Sequence, residues 1–320
     1  MVKIRTGVIG VGALGWHHAR LYGQCDGAEL VGVYDHDHER SVEVATKLGV
    51  KAFTSIDELV AAVEAISVAV PTNRHYEVVS ALLNCDKHVL VEKPIAQSVD
   101  EAVALVALAE QRQLVLQVGH VERFNPVLEC LQQVPGVPRF IEAHRLAGYP
   151  PLRPGLPPRG TEVSVVLDLM IHDLDVILSL VQSEIRRVDA VGVQVLSPSA
   201  DIANARIEFA NGCVANITAS RISQEQLRKI RVFKSQAYFS LDYGAKSGDI
   251  ATMENGGINR RAVPVHDSNA LQDQLQDFCR CVADVQAGGK ARPRVTGNDG
   301  LQALKLAEMV HASIAANIQN

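Results

Sequence analysis

From Val2 to Val118 short apolar runs alternate with longer stretches whose apolar positions recur every three or four residues. The runs near 2–9, 29–34, 65–70, 87–91 and 114–118 read as strands, and the segments 14–24, 38–48, 73–84 and 98–112 as amphipathic helices. Ser98-Val99-Asp100-Glu101 has the spacing of a capping box at the start of the last helix. Strand and helix in regular alternation build a parallel sheet through right-handed crossovers. Residues 1–119 are therefore expected to form an α/β Rossmann domain, a doubly wound parallel sheet.

Beyond Gly119 the pattern changes. After one helix, strand-like runs follow at 138–147, 187–196, 202–209, 213–221, 228–234 and 236–243, and Asn211-Gly212 between two of them is a hairpin signal because such a turn needs positive φ. Residues 120–320 are expected to form an α+β domain with a large, mostly antiparallel, open-faced sheet. It would bind substrate and self-associate through the exposed face of that sheet. Helices near 268–286 and 298–317 close the chain, with room to pack back on the first domain. The stretch from Tyr149 to Arg159 holds five prolines, which cannot join a ladder and favour an extended path.

Composition narrows the functional classes. At 320 residues and 47% apolar content the chain can bury two cores, and a net charge of -5 without long runs of one sign gives no footprint for nucleic acid or an anionic membrane. No apolar window approaches the roughly 18 residues of a membrane span, and the N-terminus runs directly into a strand, so a cytoplasmic protein is expected. The six cysteines are scattered, which points to buried free thiols rather than disulfides, and no metal site is expected.

Three elements carry chemistry. Gly10-Val11-Gly12-Ala13-Leu14-Gly15 follows a strand and opens a helix, and Asp35 ends the next strand about 20 residues on. Gly10 suits the tight turn, Gly12 the approach of a pyrophosphate with Ala13 and Leu14 beside it, and Gly15 close packing of helix on strand. Asp35 would accept from ribose hydroxyls and repel a 2′-phosphate, favouring NAD, while His36 and Arg40 leave NADP open. His17 and His18 read as packing and first-turn residues. Thr72, Asn73 and His75 follow the strand at 65–70, at the sheet edge where ligands of such folds bind, although Thr72 also suits a helix cap.

Glu92-Lys93-Pro94 ends the strand at 87–91 at the same edge, its proline able to fix the lysine backbone, as a cis bond or otherwise. Asp168 and His172 lie four residues apart on a helix, so the carboxylate can orient the imidazole. Asp173 and Asp175 read as solvated or capping. His120, Arg123 and Asn125 fall at the domain junction, where substrate would meet cofactor. Arg123, Arg145, Arg153 and Arg159 have the guanidinium fork that suits a diphosphate.

The glycine fingerprint, the Glu-Lys-Pro element and the Asp-x-x-x-His helix, in this order and with an open-sheet second domain, resemble the Gfo/Idh/MocA oxidoreductase family over the full chain. The resemblance implies an NAD-dependent dehydrogenase that oxidises a sugar or cyclitol hydroxyl, with Lys93 and His172 flanking the hydroxyl and Asp168 beside them. Glu92 and Lys93 would line the cofactor site as well. Family members often carry a glycine-rich run before the Asp-x-x-x-His helix, whereas this chain has Arg159-Gly160-Thr161-Glu162-Val163-Ser164. That departure, with Gly119 to Pro126 and the proline-rich loop, is more similar to the branch acting on nucleotide sugars, the UDP-N-acetylglucosamine 3-dehydrogenases. Arg159 would then join His120, Arg123 and Asn125 at the substrate, and a homodimer or homotetramer is expected. The alternatives are a cyclitol or free-sugar dehydrogenase, and a non-catalytic NAD-binding regulator, which would tend to have lost Lys93 or His172.

Overall fold

The computed structural model describes residues 3–132, 134–151, 163–254 and 256–318. The chain divides into two compact units, one of Met1–Phe124 with Ser268–Leu301, the other of Asn125–Asp267 with Gln302–Asn320.

The first unit runs β1 (Ile4–Ile9), α1 (Ala13–Tyr22), β2 (Ala28–Tyr34), α2 (His38–Leu48), β3 (Lys51–Ala52), α3 (Ile56–Ala62), β4 (Ala65–Val68), α4 (His75–Asn84), β5 (His88–Val91), α5 (Val99–Gln111) and β6 (Leu116–Val118). Its six strands are parallel in the order β3-β2-β1-β4-β5-β6. Every residue of β4, β5 and β6 is buried, as a sheet covered on both faces requires. Strand order reverses between β1 and β4, which places the ligand crevice of a doubly wound sheet at their carboxyl ends. Ser98 and Glu101 form the expected capping box on α5.

Two differences from the sequence reading stand out here. The short β3 and α3 form between elements that the periodicity had already assigned, α3 capped by Ser55, whose side chain accepts from the Glu58 N–H. The unit also does not end at 119. The 3₁₀ turn Val121–Phe124 packs against the later helix α7 (Ala270–Gln286), which places Leu275, Phe278, Cys279, Cys281 and Val282 in one core with Ile4, Val8 and Tyr22.

The second unit holds an eight-stranded sheet built from β7 (Phe140–Leu146), β8 (Ile185–Val193), β9 (Ile202–Phe209), β10 (Val214–Ser220), β11 (Leu227–Phe233), β12 (Ala237–Asp242), β13 (Ser247–Glu254) and β14 (Gly257–Ala262). The order is β14-β13-β12-β11-β7-β10-β9-β8, antiparallel except for the β7/β10 pair. Asn211-Gly212 joins β9 to β10 as expected, with the Asn211 side chain accepting from Cys213 N–H. Strands β13 and β14 were not foreseen, since β14 is exposed throughout and has no apolar alternation. One face of the sheet buries Ile141, Ala205, Ile207, Ile217, Val232 and Phe239 against helix α6 (Ile171–Val181), through Leu174 and Ile177, and against Leu306, Ala307 and Val310 of α8 (Gly297–Ile318).

Of the six cysteines, all unpaired, Cys85 is exposed and the other five are buried. Burial pushes the Cys25 thiol up to about 11 and the Cys279 thiol up to about 12, which keeps both protonated and unreactive. Among the described residues no helix is long and apolar enough to cross a membrane.

Asp173 and Asp175 are buried, not solvated. Asp173 receives Arg145 in a two-point pair, Nε to Oδ2 at 2.7 Å and Nη2 to Oδ1 at 3.2 Å, and the guanidinium lies 5.7 Å from the Tyr243 ring centre. The pair joins α6 to β7. Removing one partner of a buried pair leaves a charge in low dielectric, whereas exposed pairs contribute little. Asp173→Ala should therefore lower the unfolding free energy by roughly 3–5 kcal/mol, and Asp189→Ala, which breaks the exposed Arg187–Asp189 pair, by less than about 1 kcal/mol. Urea titrations followed by circular dichroism measure both.

Candidate active site

The carboxyl ends of β1, β4 and β5 carry the first set of candidate residues. Gly10 has φ +83°, and a Cβ on it would lie 2.8 Å from the Ala69 carbonyl carbon and oxygen. A Cβ on Gly15 would overlap the Gly10 carbonyl oxygen, while one on Gly12 would meet nothing within 4 Å. The turn thus presses on β4 through Gly10 and Gly15 and is open at Gly12. Asp35 braces it: Oδ2 accepts from Val11 N–H at 2.7 Å and Oδ1 from Asp37 N–H at 3.0 Å. His36 lies 2.8 Å from Asp35 on a ring that is 94% exposed. Arg40 donates from Nε to the Val11 carbonyl at 2.9 Å and from Nη1 to Glu43 at 2.7 Å, so it is tied to the turn.

Helices α2, α3, α5 and α7 each have a side-chain N-cap, whereas α1 has none and no acid in its first turn. An uncapped helix start behind an open glycine suits a pyrophosphate, whose charge the helix end favours. The residues present fit a dinucleotide.

After β4, Thr72 and Asn73 open a 3₁₀ turn. The N-cap of that turn is Pro71, so Thr72 stands inside the turn and not at the capping position. His75 is buried, with Nδ1 2.8 Å from the Pro94 carbonyl oxygen and Nε2 3.0 Å from that of Val70. Both ring nitrogens thus face carbonyl oxygens, and the neutral ring that burial favours donates to one of them. After β5, the Lys93–Pro94 bond is cis and Lys93 is half-buried. Glu92 is buried, with Oε1 2.9 Å from His18 Nε2 and Oε2 accepting from Lys93 N–H at 3.3 Å.

His120 is buried, and its pKa is pushed down to about 3 by burial first and then by the charges of Lys93 and Arg123. Arg123 donates to the Arg294 carbonyl at 3.0 Å, and Arg294 returns a bond to the Arg123 carbonyl.

The second unit carries Asp168 and His172. Val166–Met170 is a π-helical turn that continues into α6, so Asp168 sits in the wider turn and His172 in the first turn of the α-helix. Such insertions recur at functional sites. The segment leading in is pinned by a fully buried arginine: Arg221 donates to Val163 O at 2.7 Å, and to Asp201, Ser197 and Ser199. Burial alone would raise the Asp201 pKa, but Ser197, the N–H groups of Leu196 and Val195, and Arg221 together hold it well below the carboxylate range. Asn125, also in this unit, is buried, donating to Tyr243 O at 3.2 Å and accepting from Val127 N–H. Arg153 and Arg159 lie outside the described residues.

Sequence alone reads His18 as a packing residue and does not pair Arg145 with Asp173. An apolar sequence on all sides of α6 was the available signal for the second, since acids on such a helix must be paired. No local signal joins His18 to Glu92, 74 positions apart.

Comparison with known proteins agrees with this architecture. A family model described as an oxidoreductase family with an NAD-binding Rossmann fold matches residues 4–120, and the GFO/IDH/MocA C-terminal domain matches residues 133–240. A UDP-N-acetylglucosamine 3-dehydrogenase of Acidithiobacillus ferrooxidans is 39% identical over 290 residues, 88% of this chain and 90% of the relative. A solved structure of UDP-N-acetylglucosamine 3-dehydrogenase from that organism superposes with a TM-score of 0.91 at 38% identity, covering 99% of each chain. The myo-inositol 2-dehydrogenase of Thermotoga maritima is 27% identical, over 95% of this chain and 94% of the relative. The first unit is therefore an NAD-binding Rossmann domain. The chain belongs to the Gfo/Idh/MocA oxidoreductase family, whose named members among these relatives are dehydrogenases.

Three buried histidines give the first unit a pH dependence. Burial lowers the pKa of His75 and brings His88 down to about 4, where its Nδ1 accepts from Val115 N–H at 3.0 Å, and His120 lies at about 3. Each unfolded histidine binds a proton near pH 6.5 that the folded one refuses, so stability is full above that pH and falls as pH drops toward 4. Thermal melts should show a falling Tm from pH 7 to pH 5. Replacing His88 with Gln should flatten that slope.

Proposed function

We propose that this protein is an NAD-dependent dehydrogenase that oxidises a hydroxyl of a nucleotide sugar to a ketone, with the 3-hydroxyl of UDP-N-acetylglucosamine as its substrate. The observation that carries the reading is the relative of that name, 39% identical along nearly its whole length, together with the retention of Lys93, Asp168 and His172. Bound NAD supplies the hydride acceptor. His172 takes the hydroxyl proton, and Asp168, one turn earlier, orients its ring. Lys93 donates to the oxygen as negative charge develops on it. Asp35 accepts from the ribose hydroxyls with the lone pairs left by its two backbone bonds. The engagement of Arg40 with Val11 and Glu43 argues against its service to a 2′-phosphate and favours NAD over NADP. Thr72 and Asn73, at the end of β4, contact the cofactor, and His120, Arg123, Asn125 and Arg159 shape the substrate site.

The reading extends to a homo-oligomer formed through the outward face of the eight-stranded sheet. Phe140, Phe233 and Tyr238 stack across three strands on the face opposite the core, at centroid distances of 5.6 and 4.8 Å. They are flanked by the Arg231–Glu142 pair. A mixed aromatic and charged face of this kind suits a two-fold contact.

Turnover of UDP-N-acetylglucosamine, with myo-inositol and glucose as controls, tests the substrate; oxidation of myo-inositol alone would move the protein to the cyclitol branch. Lys93→Met and His172→Ala should each lower kcat by at least about a hundredfold while NADH binding, read by fluorescence, stays within about twofold. Wild-type rates in both would end the assignment.

A further inference from the structure

Two buried histidines in the first unit have no part in the chemistry just described, yet both bear on Lys93. His18, from α1, is completely buried and places Nε2 2.9 Å from Glu92 Oε1. A carboxylate only accepts, so the ring carries its proton on Nε2 and donates there. The other carboxylate oxygen accepts from Lys93 N–H at 3.3 Å, and Glu92 N–H is bonded to Val68 O at 3.0 Å. The carboxylate lies directly against Gly119, where a Cβ would come within 2.6–2.8 Å of its three atoms. On the far side of Lys93, the ring of His75, from α4, lies between the carbonyl oxygens of Pro94 and Val70; its Nδ1–H tautomer donates to Pro94 O at 2.8 Å and leaves Nε2 beside Val70 O. The residue before Lys93 is thus held by one buried imidazole and the residue after it by another.

We propose that His18 and His75 are positioning residues which together hold the backbone on either side of Lys93 and so fix where its ammonium is presented. The inference rests on the reading of Lys93 as a catalytic residue. It gives Glu92 the task of passing the hold of His18 to Lys93 N–H, in place of a contact with cofactor. The physical reason is the steepness of catalysis with geometry: a displacement of about 1 Å can cost on the order of a hundredfold in rate. The half-buried Lys93 side chain has four rotatable carbons, so its backbone is the part the fold can fix. Because Lys93 acts on charge that develops in the transition state, a loosened backbone lowers kcat and leaves KM nearly alone.

The test compares His18→Leu, His75→Leu, His18→Gln, Glu92→Gln, the His18→Gln/Glu92→Gln double variant and Lys93→Met, with rates normalised to NADH-binding sites. The leucine variants should bind NADH within about twofold of wild type and lose about 10- to 100-fold in kcat, with KM for the sugar nucleotide changed less than about threefold. The primary isotope effect with substrate deuterated at the oxidised carbon should rise, because chemistry becomes slower. A purely structural role would lower the number of active sites and leave the isotope effect unmoved. His18→Gln keeps an N–H donor and should recover most of the rate, and its effect should not add to that of Glu92→Gln.

Independently of any substrate, Lys93 should be reductively methylated severalfold faster in the leucine variants, as read by peptide mass spectrometry. Wild-type kcat and wild-type methylation in both leucine variants would overturn the proposal. Should those variants not fold, additive effects of His18→Gln and Glu92→Gln would overturn it instead. A fully active Lys93→Met would sink the catalytic reading of Lys93 and the clamp with it, whereas an inactive Lys93→Met beside active histidine variants would sink the clamp alone.

Discussion

The turn after β1 lies so close against the end of β4 that its first and last glycines cannot be anything else. Ala69 occupies the space that a side chain on Gly10 would need, and the Gly10 carbonyl occupies the space of one on Gly15. That contact fixes where α1 begins, and α1 in turn delivers His18 to Glu92. Asp35 and Arg40 hold the same turn from β2 and α2, through the N–H and the carbonyl of Val11. A sequence fingerprint for a bound anion is therefore also the keystone of strand packing in this unit, and substitutions there act on binding and on the fold together.

The architecture was legible where it is written locally. Period, turn chemistry and capping residues placed nearly every strand and helix of the first sheet, because a parallel sheet with covered faces leaves continuous apolar runs. The Asn211-Gly212 hairpin and the Ser98 capping box followed from a few adjacent residues. What failed to show had a physical cause in each case. β14 is an exposed edge strand whose Asn259, Arg260 and Arg261 give no alternation. α3 is one short helix whose local mark is a single Ser55-x-x-Glu58 cap.

The candidate site was legible to a lesser degree. Residue types and spacing single out the glycine turn, Asp35, Lys93, Asp168 and His172 as candidates, because chemistry restricts what could serve at those places. The supports were hidden, since they pair residues remote in sequence: His18 with Glu92, Arg145 with Asp173, Arg221 with Val163 and Asp201. Asp173 illustrates the difficulty. Beside His172 it looks like a surface acid, and only the arrival of Arg145 from β7 makes its burial tolerable. The arginines that suggested a diphosphate divide likewise: Arg145 is committed to that internal pair, and Arg123 donates to the Arg294 carbonyl.

The interrupted course of the first unit bears on how the protein is made. Its sheet is complete at Val118, but α7, which fills one side of its core with Leu275, Phe278 and Val282, is encoded some 150 residues later, after the whole eight-stranded sheet. A nascent chain emerging from the ribosome would hold the early strands with an apolar flank uncovered for most of translation. Synthesis from one end to the other thus leaves the cofactor-binding half to mature among the last, although it is the first to be translated.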